Sequence, residues 1–273
     1  MVSTVPNACD YVGCLGERQV VYYCVDDFTK WPGLEHHLID AMERELIGKA
    51  NVLVVASQTL YRKLIMNKKP THLLTHGVDI SLFAHDPPAE HECLEGIARP
   101  RVGFFGLIDQ RTDQGLIAGI ASRMLHFSFV MTGPIATDVA SLQACSNIHF
   151  TGPVAYGKLP ALIKGLAVLF IPYVVNDFTD SISPLKLKEY LVTGKPVIAT
   201  PMAEAISRRQ YVSIASSVDE WEVALSSTLS VDVTTRRQAI LELLAGESWD
   251  DKAVTFLSIC TDAGQLGEVG SSR

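Results

Sequence analysis

"SISPLKLKEYLVTGKPVIATP" (residues 181–201) holds a helix start, a helix stop and a strand within 21 residues. Ser183 is the expected N-cap and Pro184 the expected first helical residue, because proline's missing N–H costs nothing there. The helix is expected over 184–193, with Leu185, Leu187, Tyr190 and Leu191 as its core-facing stripe. Gly194 ends it, and the apolar run "PVIAT" re-enters a sheet. Lys186 falls in the first turn, where a cation opposes the helix dipole by about 0.3–1 kcal/mol unless an anion sits in front of it. Glu189 lies three residues on and shares its face. A diphosphate over the free N–H groups and Lys186, with ribose hydroxyls on Glu189, uses each residue for its chemistry. A solvated helix with an ordinary Lys186–Glu189 ion pair uses the same letters.

The helix–strand pattern extends in both directions. Strands are expected at 19–27, 51–57 and 72–79, with helices at 34–48 and 58–66 between them. The stretch 83–100 is rich in Pro, Glu and Asp and has no periodicity. Beyond it six strands alternate with helices: "RVGFFGLI", "FSFVMTGP", "NIHFTGP", "AVLFIPY", "PVIAT" and "YVSIAS". Helices are expected at 113–124, 136–145, 157–165 and 184–193, then near 217–229, 234–245 and 249–262. Such alternation implies an α/β fold with parallel sheets covered on both faces. Six strands suffice for one complete doubly wound, Rossmann-like domain. The opening residues "MVSTVPNACDYVG" carry no strand signal, so the first part reads as three strands, a partial domain. The expected division is therefore 1–83 as a partial N-terminal α/β domain, 84–100 as a linker, 101–248 as the Rossmann-like domain and 249–273 as a C-terminal helix with a flexible tail. The small first part is read as a front-truncated domain.

Net charge is −7 over 273 residues, which argues against sequence-independent nucleic-acid binding. The longest apolar run, 165–175, is broken by Pro172 and is shorter than the ~20 residues of a spanning helix. No secretion-type leader opens the chain. The six cysteines (9, 14, 24, 93, 145 and 260) form no CxxC pair. A reduced, cytoplasmic protein is expected.

Ligands of open parallel sheets bind beyond the carboxyl ends of the strands. Those ends carry "GLIDQRTDQG", with Gly106, Asp109, Arg111 and Asp113; "TGP" with Gly133; "TGPV" with Val154; and the loop 173–184 before the quoted helix. Glycines at such ends let backbone approach a ligand.

With "SPLK", "EYL", "GKPV", "NIHFTGPV", "THGVDISLF" and "GFFGLID" in this order, the chain resembles retaining glycosyltransferases of the two-Rossmann (GT-B) type, group 1 in particular. The resemblance covers nearly the whole chain. It implies transfer of a sugar from a nucleotide diphosphate-sugar to a glycan or lipid-linked acceptor. The donor would sit mainly on the C-terminal domain and the acceptor mainly on the N-terminal one, to which the last helix crosses back. No metal or other cofactor is implied, the nucleotide sugar being a substrate. Carried over, Glu189 would bind ribose, while Ser183, Pro184, Leu185 and Lys186 would hold the diphosphate. Gly106 and Gly133 would allow close approach, Arg111 would be the nearby cation, and Val154 would lie beside the base. Many relatives have a glutamate eight residues before the ribose glutamate. This chain has Ser181 there, next to Asp180, so these two are the candidate donor-sugar contacts. The acceptor classes leave room for peripheral membrane contact. Proton transfer to the leaving phosphate would remove the need for a dedicated protein base.

Two other readings use the same residues: a nucleotide-sugar-binding module without catalysis, and a sugar-nucleotide epimerase, for which in-cleft acids and bases are missing. His36, His37 and His76 read as surface or turn residues. His85, Asp86, Glu90, His91 and Cys93 have metal-ligand types at no regular spacing. Asp26 and Asp27 in "CVDD" are paired carboxylates that fit either a site or a helix cap.

Overall fold

The computed structural model describes residues 1–228 and 233–268, without the side chains of 262–268. The last helix, expected to 262, runs on to Glu268, and only residues 269–273 of the flexible tail expected after it lie outside the described residues. The chain forms two compact units: Met1–Gly77 with Asn176–Ser183 and Gly246–Arg273, and Val78–Val175 with Pro184–Ala245. The first boundary falls at 77/78, six residues before the expected 83, and the second unit closes at 245 against the expected 248.

The first unit is a parallel sheet of four strands in the order β1-β2-β3-β4: Val2–Ser3, Val21–Cys24, Val52–Val55 and Thr71–Leu73. The expectation of three strands is corrected by β1, whose two residues pair with Val21 and Tyr22. Two residues are too short to show the two-residue period that marks a strand. Alternate residues of β2 and β3 face opposite sides. Tyr22, Cys24, Leu53 and Val55 pack with Leu46 of α1 (His36–Lys49) and Leu60 of α2 (Gln58–Leu64). Val21, Val52 and Val54 face the other way, onto Phe256 and Ile259 of α11 (Trp249–Glu268). The Tyr23 and Phe256 rings stack at 5.8 Å. Asn176–Ser183 is bound to this unit through the start of α2: the Ser57 hydroxyl donates to the Ser181 carbonyl at 2.7 Å and that of Thr59 to the Asp180 carbonyl at 3.1 Å. Phe178 meets Trp31 edge-on at 5.8 Å.

The second unit has six parallel strands: β5 (Arg101–Phe105), β6 (Ser128–Thr132), β7 (Ile148–Gly152), β8 (Val168–Ile171), β9 (Val197–Ala199) and β10 (Ser213–Ile214). Their order is β7-β6-β5-β8-β9-β10, the doubly wound arrangement whose direction of winding reverses between β5 and β8. Strands β5, β6, β8 and β9 are buried along their whole length, as apolar runs in a sheet covered on both faces must be. Helices α4 (Gln114–Arg123), α5 (Ala140–Gln143), α6 (Leu159–Lys164), α7 (Leu185–Val192), α9 (Val218–Thr228) and α10 (Val233–Leu243) follow the expected sequence. The short α3 (Ile80–Ala84) and α8 (Ala203–Ser207) had no separate signal. The stretch 84–100 is not a free linker but part of this unit. Arg101, 7% exposed, draws it onto the sheet by donating to the carbonyls of Leu94 at 3.0 Å and Ile97 at 2.9 Å and to Glu90 at 2.9 Å. The metal-ligand types there are committed elsewhere: Glu90 pairs with Arg99 and Arg101, Asp86 with Lys164, and His91 Nδ1 accepts the Cys93 N–H. The chain thus holds one complete Rossmann-like domain and a smaller parallel α/β unit.

Candidate anion and ribose site at the sheet switch point

The carboxyl ends of β5 and β8 flank the point where strand order reverses; Gly106 follows β5 directly and Tyr173 lies two residues beyond β8. Gly106 has φ +127° and Gly133, after β6, φ +140°, conformations that favour glycine. A Cβ on Gly133 would lie 2.0 Å from the Gly106 carbonyl oxygen, and one on Gly106 would lie 2.7 Å from the Lys186 ammonium. The two glycines therefore let two strand ends and a lysine share one small volume.

Helix α7 is fixed over this volume by Tyr190. Its fully buried ring lies 4.8 Å from that of Phe105, and its hydroxyl accepts the Phe105 N–H at 3.0 Å. The helix begins at Leu185 with Pro184 in the N-cap position, and no side chain caps it. Ser183 is therefore not the N-cap, a correction of one residue. Pro184 is extended, with ψ 110°, and has no side-chain acceptor for the first N–H groups, while its carbonyl takes the Leu187 N–H at 3.0 Å.

Lys186 does not close an ion pair with Glu189 among the described residues. Its ammonium donates to the Tyr173 hydroxyl at 2.8 Å and lies 3.8 Å from the centre of the Phe104 ring. Burial, and then the neighbouring Arg111, push its pKa down to about 7, against the pull of Asp109 and Glu189. Arg111 is held by Asp109 through a forked contact, Nε to both carboxylate oxygens at 3.0 Å and a terminal nitrogen to one at 2.7 Å. Its guanidinium stands 5.7 Å from the Tyr173 ring centre. Glu189 is buried and receives a hydrogen bond from the Tyr156 hydroxyl at 3.1 Å. Burial drives its carboxyl up to about 7, although that bond and Lys186 both favour the charged form. A cation displaced toward neutrality thus stands beside a carboxylate displaced the same way. An anion near Lys186 and hydroxyl donors on Glu189 would restore both charges.

The structure brings together in one unit Gly106, Arg111, Gly133, Val154, Pro184, Leu185, Lys186 and Glu189. Val154 is half-buried on the loop that leads from β7 to Tyr156. Asp180, Ser181 and Ser183 fall in the other unit. The Ser181 hydroxyl is buried and donates to the Phe178 carbonyl at 2.7 Å, and Asp180 is half-buried. Asp27 of the "CVDD" pair is also buried, paired with Lys63 at 2.8 Å and Lys30 at 3.7 Å. Sequence reasoning placed Asp109 at this strand end without giving it a role, and missed Tyr156, Tyr173 and Phe104 as site residues. Asp109 had the clearest signal, two residues before Arg111 in the strand-end loop; the aromatic residues had none beyond composition.

No protein-family model matches the chain. Over 199 residues it is 27% identical to the putative teichuronic acid biosynthesis glycosyltransferase TuaH of Bacillus subtilis (strain 168). That alignment covers 67% of this chain and 50% of TuaH, so the chain spans half the length of this curated relative. Among solved structures, the E. coli trehalose-6-phosphate protein bound with UDP-2-fluoro glucose superposes with a TM-score of 0.69 at 12% identity, over 97% of this chain and 72% of that one. Sucrose-phosphate synthase from Thermosynechococcus elongatus gives 0.68 at 14% identity, over 89% and 67%. Anabaena HepE in complex with UDP and glucose gives 0.60 at 16% identity, over 93% and 72%. The fold and the likeness to glycosyltransferases expected from the sequence are borne out. No described helix is long and apolar enough to cross a membrane.

Proposed function

We propose that the protein is a glycosyltransferase that moves a sugar from a nucleotide diphosphate-sugar, with UDP as the nucleotide, to a hydroxyl of a glycan or lipid-linked acceptor. The observation that carries this reading is the Lys186–Gly106–Glu189 constellation at the switch point, where a cation, bare backbone and a buried carboxylate meet. Two of the similar structures hold UDP or a UDP-sugar, and TuaH is named for teichuronic acid biosynthesis, which supports both the donor and the acceptor class.

The chemistry breaks the bond between the anomeric carbon and the diphosphate oxygen and forms one to the acceptor oxygen. Negative charge then builds on the leaving diphosphate. Lys186, the N-terminus of α7 and Arg111 face that charge, and preorganised donors of this kind do most where water is excluded. These cations supply what a divalent ion would supply elsewhere, so we infer a metal-independent reaction. The diphosphate can take the acceptor proton as it leaves, which fits retention of anomeric configuration without a separate base. Glu189, positioned by Tyr156, accepts hydrogen bonds from the ribose.

Calorimetric titration with UDP, GDP and ADP against the wild type and Lys186→Ala tests the binding half. Binding of UDP that is lost in the variant is expected; no binding of any nucleotide would sink the proposal. Incubation with UDP-sugars and glycan or lipid acceptors then tests transfer. The buried Ser181, where many relatives have glutamate, favours one competing outcome: a chain that binds UDP-sugar and transfers nothing.

A further inference from the structure

A second cluster of cations lies in the same unit, at the far end of α7. A cavity of about 60 Å³ is lined by Phe83, His85, Asp86, Lys164, Lys195 and Arg237, among others. That is several times the ~10–15 Å³ one water needs. The cations outnumber the acids around it: Lys164, Lys195 and Arg237 face Asp86 alone among the lining side chains. Asp86 is itself mostly exposed and already paired with Lys164 at 2.9 Å. Arg237 has its Nε buried with no hydrogen-bond partner among the described residues. An orphan guanidinium N–H is a rare feature that demands a partner. Lys195 is anchored by donating to the Lys164 carbonyl at 3.3 Å and to that of Leu166, which holds its ammonium at the cavity wall. Burial and then the charge of Arg99 push its pKa down to about 8, against the pull of Asp86.

The place in the fold is fixed by Gly194, the residue that ends α7 with φ +76°. A Cβ there would lie 2.5 Å from the Cβ of Arg237, so α10 is seated directly on the end of α7. On the other side the wall is Phe83, whose ring stands edge-on to Tyr156 at 5.7 Å. The cavity is thus distinct from the switch-point site and shares one aromatic wall with it.

We propose that this cavity is a second anion site that takes a phosphate group, bound by the Arg237 guanidinium and the Lys195 and Lys164 ammonium groups. Arginine and lysine together suit it, one as a directional fork and the other as a point charge. Inorganic phosphate and a phosphate monoester present the same group to these residues.

The test is a thermal-shift titration of the whole chain with phosphate and with glycerol 3-phosphate, chloride replacing them at equal ionic strength. It is run on wild type, Lys186→Met and Arg237→Met. The stabilisation by phosphate is expected to persist in Lys186→Met, which lacks the switch-point cation, and its apparent Kd to rise at least about tenfold in Arg237→Met, or ~1.4 kcal/mol. Equal response to glycerol 3-phosphate assigns the site to phosphorylated metabolites, and no response assigns it to the free ion. Loss of the effect in Lys186→Met, or an unchanged Kd in Arg237→Met, would overturn the proposal. Should Arg237→Met fail to fold, the Nε–Hε resonance of Arg237 in the wild-type chain decides. It is expected to move with phosphate in the presence of saturating UDP, and a resonance that stays still refutes the site.

Discussion

Lys186 and Glu189 make the unliganded site costly, and their pKa displacements give that cost a pH signature. A cation whose folded pKa falls from 10.5 to about 7 contributes stability that is fully present above 10.5 and lost as pH drops through 7. A carboxylate raised from 4.5 to about 7 contributes stability present below 4.5 and lost as pH climbs through 7. Both penalties are therefore nearly complete at pH 7. Lys186→Met is expected to raise the melting temperature most at and below pH 7, with the gain fading toward pH 10.5. Glu189→Gln is expected to do the reverse, gaining most above pH 7 and nothing below pH 4.5. A gain of 1 kcal/mol amounts to about 2–4 °C for a domain of this size. Melting curves from pH 4 to pH 10 check both, and parallel profiles would contradict the assignment. The same variants are expected to weaken UDP binding about tenfold or more, since each removes a charged hydrogen-bonding partner of a bound ligand. Binding is also expected to take up protons near pH 7.5, because a diphosphate restores the Lys186 charge. Calorimetry in buffers of different ionisation enthalpy reads that uptake directly, and proton release would contradict it.

At the scale of elements, the strand ends and α7 are built as one piece. Gly133→Ala would force a methyl to 2.0 Å from the Gly106 carbonyl at a φ of +140°. Backbone cannot yield as a flexible side chain does, so a loss of roughly 3 kcal/mol or more is expected, with a collapse in UDP affinity. Chemical denaturation measures the first and titration the second; a variant as stable as wild type would show that β5 and β6 tolerate separation there. Much of this element was legible beforehand, because its residues punctuate. Proline, glycine and a lysine in a first turn each have few structural explanations, so residues 181–201 gave the helix, its stop and the strand. The one-residue error at Ser183 arose because serine is a good cap in general. Whether it caps depends on where the helical backbone begins, and with ψ 110° Pro184 still lies outside it. Tyr156, Tyr173 and Phe104 were illegible for a different reason. An aromatic residue near a strand end looks like core, and only the fold shows which ring stands beside a lysine.

At the scale of the molecule, the alternation of apolar runs with amphipathic segments was enough to find the six-stranded unit, because a doubly buried parallel strand has an unmistakable composition. It could not find β1, and it could not assign Asn176–Ser183 to the first unit, since that attachment rests on Ser57 and Thr59, more than a hundred residues earlier. The last helix was legible as a helix, and its return to the first part of the chain was implied only by the family resemblance; that it covers β2 and β3 was not legible. A chain ending at Ala245 would leave Val21, Val52, Val54 and Leu74 without Phe256 and Ile259. It is expected to aggregate or to bind a hydrophobic dye on purification, and a monomeric, dye-negative fragment would refute that role for α11.

The order in which these segments leave the ribosome now matters. The described strands of the first unit have all been synthesised by Leu73, yet their second face waits for Ile259. At ~5–20 residues per second the interval is roughly ten to forty seconds, during which a nascent sheet shows bare valine to the cytosol or to a chaperone. The second unit, Val78–Val175 and Pro184–Ala245, is synthesised wholly inside that interval. Maturation of this protein is thus nested: the later-starting unit can finish first, and the one that starts the chain is the last to close.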